Sequence, residues 1–171
     1  MPGFTESNII LNFPDNNFFR FSACEGYRVL SGNHFKEMDA CWHDTTGDIY
    51  WLIELKDYSL ANIAAATTIE SKAWDLVKKA VDSLSMLIST KHSYPWFTAK
   101  YPKLPYTPDN ATIMKFITVV HCDTHQRADV QLMNDSFKNK FKPYAELFGI
   151  QYYSVVNHIS AKAIFPNNMI Q

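Results

Sequence analysis

The run Ile49–Lys56 (IYWLIELK) is the part of this chain with the fewest structural options. It is short, β-branched and aromatic, and carries charge only at Glu54 and Lys56, which reads as a largely buried strand. A second strand is expected over Phe35–Trp42 (FKEMDACW), with His43–Asp48 (HDTTGD) as turn material between them. Only six residues separate the two runs, so they should pair as an antiparallel hairpin. Side chains alternate along a strand, which puts Glu37, Asp39 and Cys41 on one side and Met38, Ala40 and Trp42 on the other. On the following strand Leu52, Glu54 and Lys56 share a side. A two-residue loop at Thr46-Gly47 sets Asp39 opposite Glu54 and Glu37 opposite Lys56, pairs whose numbers sum to 93. A shift of two would make these pairs diagonal and keep them on one face.

Two carboxylates facing each other in apolar strands repel, and an unpaired buried carboxylate is costly. A divalent cation between Asp39 and Glu54 turns that liability into a binding site. Hard oxygen ligands suit Mg²⁺ or Mn²⁺, which keep waters and accept phosphate oxygens as further ligands. Lys56, two residues after Glu54 on the same face, is expected beside that cation. There it could orient or help deprotonate a water, or stabilise charge on an attacked phosphate.

The rest of the chain reads as one α/β domain over residues 1–171, with a mixed central β-sheet and flanking helices. Phe18–Cys24 (FFRFSAC) is expected as a strand ending near Glu25-Gly26, after an N-terminal segment able to hold a helical turn beyond Thr5. Thr67–Thr90 carries the clearest helical periodicity, with Ile69, Ala73, Leu76, Val77, Ala80, Leu84 and Leu87 on one face. Lys72, Asp75, Lys78, Lys79 and Asp82 fall mostly on the other. Thr67 or Thr68 is a candidate N-cap, and Glu70 suits the positive end of the helix dipole. A strand at Met114–Cys122 follows. Then comes a helix at Asp129–Phe148, bent or broken near Pro143 and closed by Gly149, and a last strand at Ile150–Ile159. The order is β-β-β-α-β-α-β.

Asp39 on one strand, a short turn, then Glu54-Leu55-Lys56 closing an apolar strand before a helix resembles the PD-(D/E)XK nuclease superfamily. Its shared core is a helix, a three-stranded meander, a helix and a further strand. The resemblance covers roughly Phe18–Cys122, the core, with residues 123–171 as elaboration. It implies a restriction-endonuclease-like core and a Mg²⁺- or Mn²⁺-dependent nuclease hydrolysing phosphodiester bonds, with DNA as the expected substrate. Asp39 and Glu54 are then catalytic carboxylates and metal ligands, Lys56 assists the water, and the Leu55 carbonyl is a further ligand. The Asp–Glu separation of 15 residues lies within the family's range. Met38 stands where the motif nominally has proline. The family often places another Glu in its first helix, for which Glu6 and Glu25 are both candidates. Two other readings stand beside this one: a surface ladder of ion pairs on a half-exposed sheet, and an inactive member of the fold that binds nucleic acid or protein.

Composition sharpens the choice of partners. The net charge of −1 conceals a split. Residues 1–57 hold four bases against nine acids, and residues 58–171 hold twelve against eight. The acidic excess lies where the cation is expected, and the basic excess lies where a polyanion could bind. Lys91–Thr112 interleaves lysines with Tyr94, Trp96, Phe97, Tyr101 and Tyr106, a pattern suited to phosphates and stacked bases, or to an aromatic flap over the sheet. In Phe137–Lys142 the lysines read as a solvated face. His121–His125 (HCDTH) has half the spacing of a zinc site but no cysteine-pair partner, so a buried thiol and loop histidines are expected. Three scattered cysteines argue against a disulfide framework and for a reducing, cytoplasmic setting. No secretion signal and no membrane-spanning run is read in the sequence. A homodimer would supply two sites for two strands.

Overall fold

The computed structural model describes residues 2–59, 66–91, 112–165 and 168–171. The hairpin forms in the expected register. β4 (Ala40–Asp44) runs antiparallel to β5 (Ile49–Asp57), pairing Ala40 with Ile53 and Trp42 with Trp51, so pair numbers sum to 93. The connection is the four-residue turn at 45–48 rather than a two-residue loop, and the register is unchanged. β5 then pairs in parallel with β6 (Ile113–His121), which pairs in parallel with β7 (Tyr152–Asn157). On the other edge lies β3, reduced to Phe18–Phe19, antiparallel to β4. The five-stranded sheet therefore has the order β3-β4-β5-β6-β7, mixed in direction as expected.

Several expected boundaries are corrected. The strand expected at Phe18–Cys24 stops after Phe19, because the backbone closes on itself: Cys24 N–H donates to the Phe21 carbonyl at 2.8 Å. A 3₁₀ turn at Phe21–Ala23 leads into α1 (Glu25–Ser31), a helix with no clear periodic signal. The segment before β4 is not strand either. Lys36 N–H donates to Asp82 Oδ2 and Met38 N–H to the buried Ser83 Oγ, both at 2.9 Å. These backbone donors are satisfied by side chains of α2 (Ala66–Lys91), which leaves them no role in a ladder with β5. In place of a helical turn after Thr5, the N-terminus forms a second hairpin of β1 (Gly3–Glu6) and β2 (Ile9–Asn12). Ser7 and Asn8 at its tip both have positive φ, 53° and 57°, as a two-residue turn matched to strand twist requires.

The helical assignments fare better. α2 begins one residue before the expected start, so its capping position falls at residue 65, outside the described residues. Glu70 serves α3 (Arg127–Phe148) rather than the dipole of its own helix, accepting from Ser136 Oγ at 2.6 Å and from Lys140 Nζ. α3 runs through Pro143 without a break and ends at Gly149, φ 67°. Its buried face, Phe137, Phe141 and Ala145, continues past the proline, so packing maintains the helix where the lost hydrogen bond would end it. β7 stops at Asn157, whose side chain accepts the Ser160 N–H at 3.0 Å and opens α4 (His158–Ile164).

Alternation along β5 divides the interior into two cores. Tyr50 and Leu52 pack toward α2 and α3 with Leu76, Leu84, Phe137 and Phe141. Trp51, Ile53 and Leu55 pack on the opposite face with the β1–β2 hairpin, α4 and the C-terminal residues Met169 and Ile170. Both faces of the central strands are covered, the usual condition for parallel strands. Among the described residues, no helix is long and apolar enough to cross a membrane.

Candidate active site

β5 extends past the start of β4, and that overhang builds the site. Beyond Ile53 the β4-side edge of β5 has no strand partner. Its polar groups are taken up by side chains: Leu55 N–H donates to Asp39 Oδ2 at 2.7 Å, and the Leu55 carbonyl accepts from Ser7 Oγ at 3.1 Å. Asp39 thus lies one residue before β4, at the register position facing Glu54, held there by the backbone of Leu55. The expected pairing of the two carboxylates is what the structure brings together. The Leu55 carbonyl has one of its lone pairs engaged by the hairpin tip, and the Leu55 side chain is core.

Glu54 is 0% exposed, on the α2 side of the sheet. The expected ladder pair of Glu37 with Lys56 does not form, because each has a different partner. Glu54 Oε1 receives two ammonium groups, Lys56 Nζ and Lys79 Nζ of α2, each at 2.6 Å. Its Oε2 is buried with no hydrogen-bond partner. Lys56 therefore binds Glu54 and not Glu37, as strict cross-strand pairing would have had it. Glu37 instead accepts from the hydroxyl of Tyr27 in α1.

The electrostatics follow from this crowding. Burial, and then the Glu54 charge, push the Asp39 carboxyl up to about 6, and the Leu55 amide and the two lysines only partly oppose this. Burial also raises Glu37. Burial pulls the Lys56 ammonium down, but the charge and hydrogen bond of Glu54 more than offset it, so Lys56 titrates above an ordinary lysine. Burial raises the Tyr58 phenol, reinforced by Glu54. Lys56 and Lys79 reach from Glu54 to the wall of a cleft of about 470 Å³, which Glu37, Tyr58 and Lys72 also line.

The residues present fit a Mg²⁺ or Mn²⁺ ion of low protein coordination. Two hard carboxylates converge, one with an orphaned buried oxygen, and Mg²⁺ commonly takes only one or two carboxylates and keeps its waters. Among the described residues no group of three or more His, Cys, Asp or Glu side chains is arranged around a metal position. Of the two upstream candidates, only Glu6 has a described side chain. Glu6 is engaged by Arg20 at 2.6 Å, and the Glu25 side chain lies outside what is described. In the HCDTH segment His121 pairs with Asp57 at 3.2 Å, Cys122 is buried, and His125 sits in the 3₁₀ turn Thr124–Gln126. The lysine- and aromatic-rich stretch falls within residues 92–111, which lie outside the described residues.

Sequence reasoning missed Lys79, placing it on the solvated side of the helix. A signal existed. Lys79 is three residues after Leu76 and four before Ser83, both buried, which sets it on the margin of the apolar stripe. No protein-family model matches the chain, and no curated protein or solved structure is significantly similar to it.

Proposed function

We propose that this chain is a metal-dependent nuclease that hydrolyses phosphodiester bonds in nucleic acid, with DNA as its expected substrate. The observation that carries the reading is Glu54, a fully buried carboxylate facing Asp39, with one oxygen unpartnered and the other held by Lys56 and Lys79, which line the neighbouring cleft. The topology supports a restriction-endonuclease-like core. An antiparallel meander β3-β4-β5 leads into α2 and then β6, parallel to β5. One departure stands against the family pattern described above: α1 lies between β3 and β4 instead of before the meander.

Asp39 and Glu54 would hold the Mg²⁺ or Mn²⁺, which supplies a Lewis acid to a phosphate oxygen and acidifies a bound water. The chain's own groups divide the remaining work. Asp39 is fixed through Oδ2 by the Leu55 amide. Lys56, held protonated by Glu54, is better suited to stabilise charge developing on the phosphate, or to orient the water, than to remove its proton. A homodimer would bring two such sites to two strands.

The test is cleavage of a mixed nucleic-acid substrate with Mg²⁺ and with Mn²⁺. Wild-type protein should cut, and Glu54→Gln and Lys56→Ala should each lower the rate by at least about 100-fold while circular dichroism stays unchanged. Absence of cleavage by the wild type with either ion sinks the enzymatic reading. A second reading, a binding module on the same scaffold, draws on one observation: two ammonium groups already neutralise Glu54. Calorimetry separates the two, because a binding module has no Mn²⁺ affinity to lose in Asp39→Asn.

A further inference from the structure

The double occupancy of one Glu54 oxygen is unusual. A buried carboxylate stabilised only for structure would be served best with a donor on each oxygen. Here Lys56 and Lys79 both bind Oε1 at 2.6 Å, and Oε2 is left buried and unpartnered. Two ammonium groups carry the charge of one divalent cation, and they meet the carboxylate that faces Asp39. The two lysines are not equivalent. Lys56 is fixed on β5 two residues from Glu54, whereas Lys79 reaches across from α2. The Lys79 side chain is 19% exposed and lines the 470 Å³ cleft with Glu37 and Asp75, so other carboxylates and open volume lie beside it.

We infer that Lys79 is an electrostatic stand-in for the divalent cation: it shares Oε1 of Glu54 with Lys56 in the cation-free protein and gives up that oxygen when the cation binds. This rests on the reading of Asp39 and Glu54 as the cation's ligands. In the cation-free state Lys79 keeps Glu54 from standing as an undercompensated buried charge. On release its ammonium swings into the cleft, where Glu37 can receive it or an incoming phosphate can take it. Lys79 is therefore a positioning residue that opposes cation binding and supports the empty site.

Titration calorimetry with Mn²⁺ alone, on the full chain, tests this with wild type, Lys79→Met and Lys79→Arg, alongside melting curves with and without Mn²⁺. Removing a positive charge this close should let Lys79→Met bind Mn²⁺ about tenfold or more tighter than wild type. Its cation-free melting temperature should fall, and Mn²⁺ should raise it by more than it raises that of the wild type. Lys79→Arg should keep the wild-type affinity. If Lys79→Met fails to fold, Lys79→Gln carries the same comparison. Affinity unchanged or weakened in the uncharged variant overturns the inference. Mn²⁺ binding by wild type that Asp39→Asn abolishes would in that case leave the underlying reading standing, whereas no binding by any variant overturns both.

Discussion

At the scale of single residues, the site is governed by a conflict between burial and charge. Asp39 is ordinary in sequence and unusual in place. Its carboxyl titrates near 6 because it is desolvated next to Glu54, and its ordinary value is 3.8. A carboxyl raised in the folded state binds its proton more tightly folded than unfolded. Stability therefore falls as pH rises from about 4 to about 6, and the loss is complete above that window. Asp39→Asn removes the cost and keeps an oxygen for the Leu55 amide. The cation-free variant should exceed the wild type by about 3 kcal/mol near pH 8, and most of the difference should be gone near pH 4. Urea unfolding across that range checks it. A difference that stays constant, or that grows toward acid, contradicts the sign. Glu54 behaves differently, since two lysines compensate it and removing one partner of a buried ion pair leaves the rest uncompensated.

At the scale of elements, the position of Asp39 is set by α2 as much as by its own strand. Lys36 and Met38 donate their backbone amides to Asp82 and Ser83, which peels the segment away from β5 and leaves the Leu55 amide for the Asp39 carboxylate. Ser83→Ala would leave the Met38 amide buried without an acceptor. It should cost about 1–3 kcal/mol in chemical unfolding and weaken Mn²⁺ binding through a mispositioned Asp39. An affinity loss without a stability loss would assign Ser83 a different role.

This element scale also marks how far the sequence could be read. Alternation and a turn centred on Thr46-Gly47 were enough for the β4–β5 register and for Asp39 facing Glu54, although the turn is longer than expected, because a one-residue slip would have sent Trp42 and Trp51 to the wrong core. The long helices were legible from their stripes. The short elements were not. α1, of seven residues, is too brief for a periodic signal, and the N-terminal hairpin rests on a Ser7-Asn8 turn that lacks the usual glycine. For Lys79 the spacing from Leu76 and Ser83 marked its place at the margin of the stripe but not its partner. Its partner is 25 residues away, on a different element, so local spacing carries no trace of the contact.

Across the whole molecule, residues from both the acidic front and the basic back line one cleft. Glu54 occupies two of its lysines, and Lys36 Nζ is bound by Asp75 at 2.9 Å. Lys72 Nζ lies over the Tyr58 ring, 4.1 Å from its centroid, and both residues line the same opening. That arrangement suits a phosphate contact beside an aromatic surface. On the proposed nuclease reading, Lys72→Gln should weaken nucleic-acid binding and reduce the slope of log K against log salt by about 0.7–0.9, while Mn²⁺ affinity stays unchanged. Equal salt slopes for the two proteins would remove Lys72 from the binding surface.

The most direct test of the central claim is a crystal of the chain soaked in Mn²⁺ and measured for anomalous scattering. The account predicts one peak within about 2.0–2.3 Å of carboxylate oxygens of both Asp39 and Glu54, with the Lys79 ammonium withdrawn from Oε1. An Mn²⁺-soaked crystal with no peak between these carboxylates, and with both lysines still seated on Glu54, would contradict it.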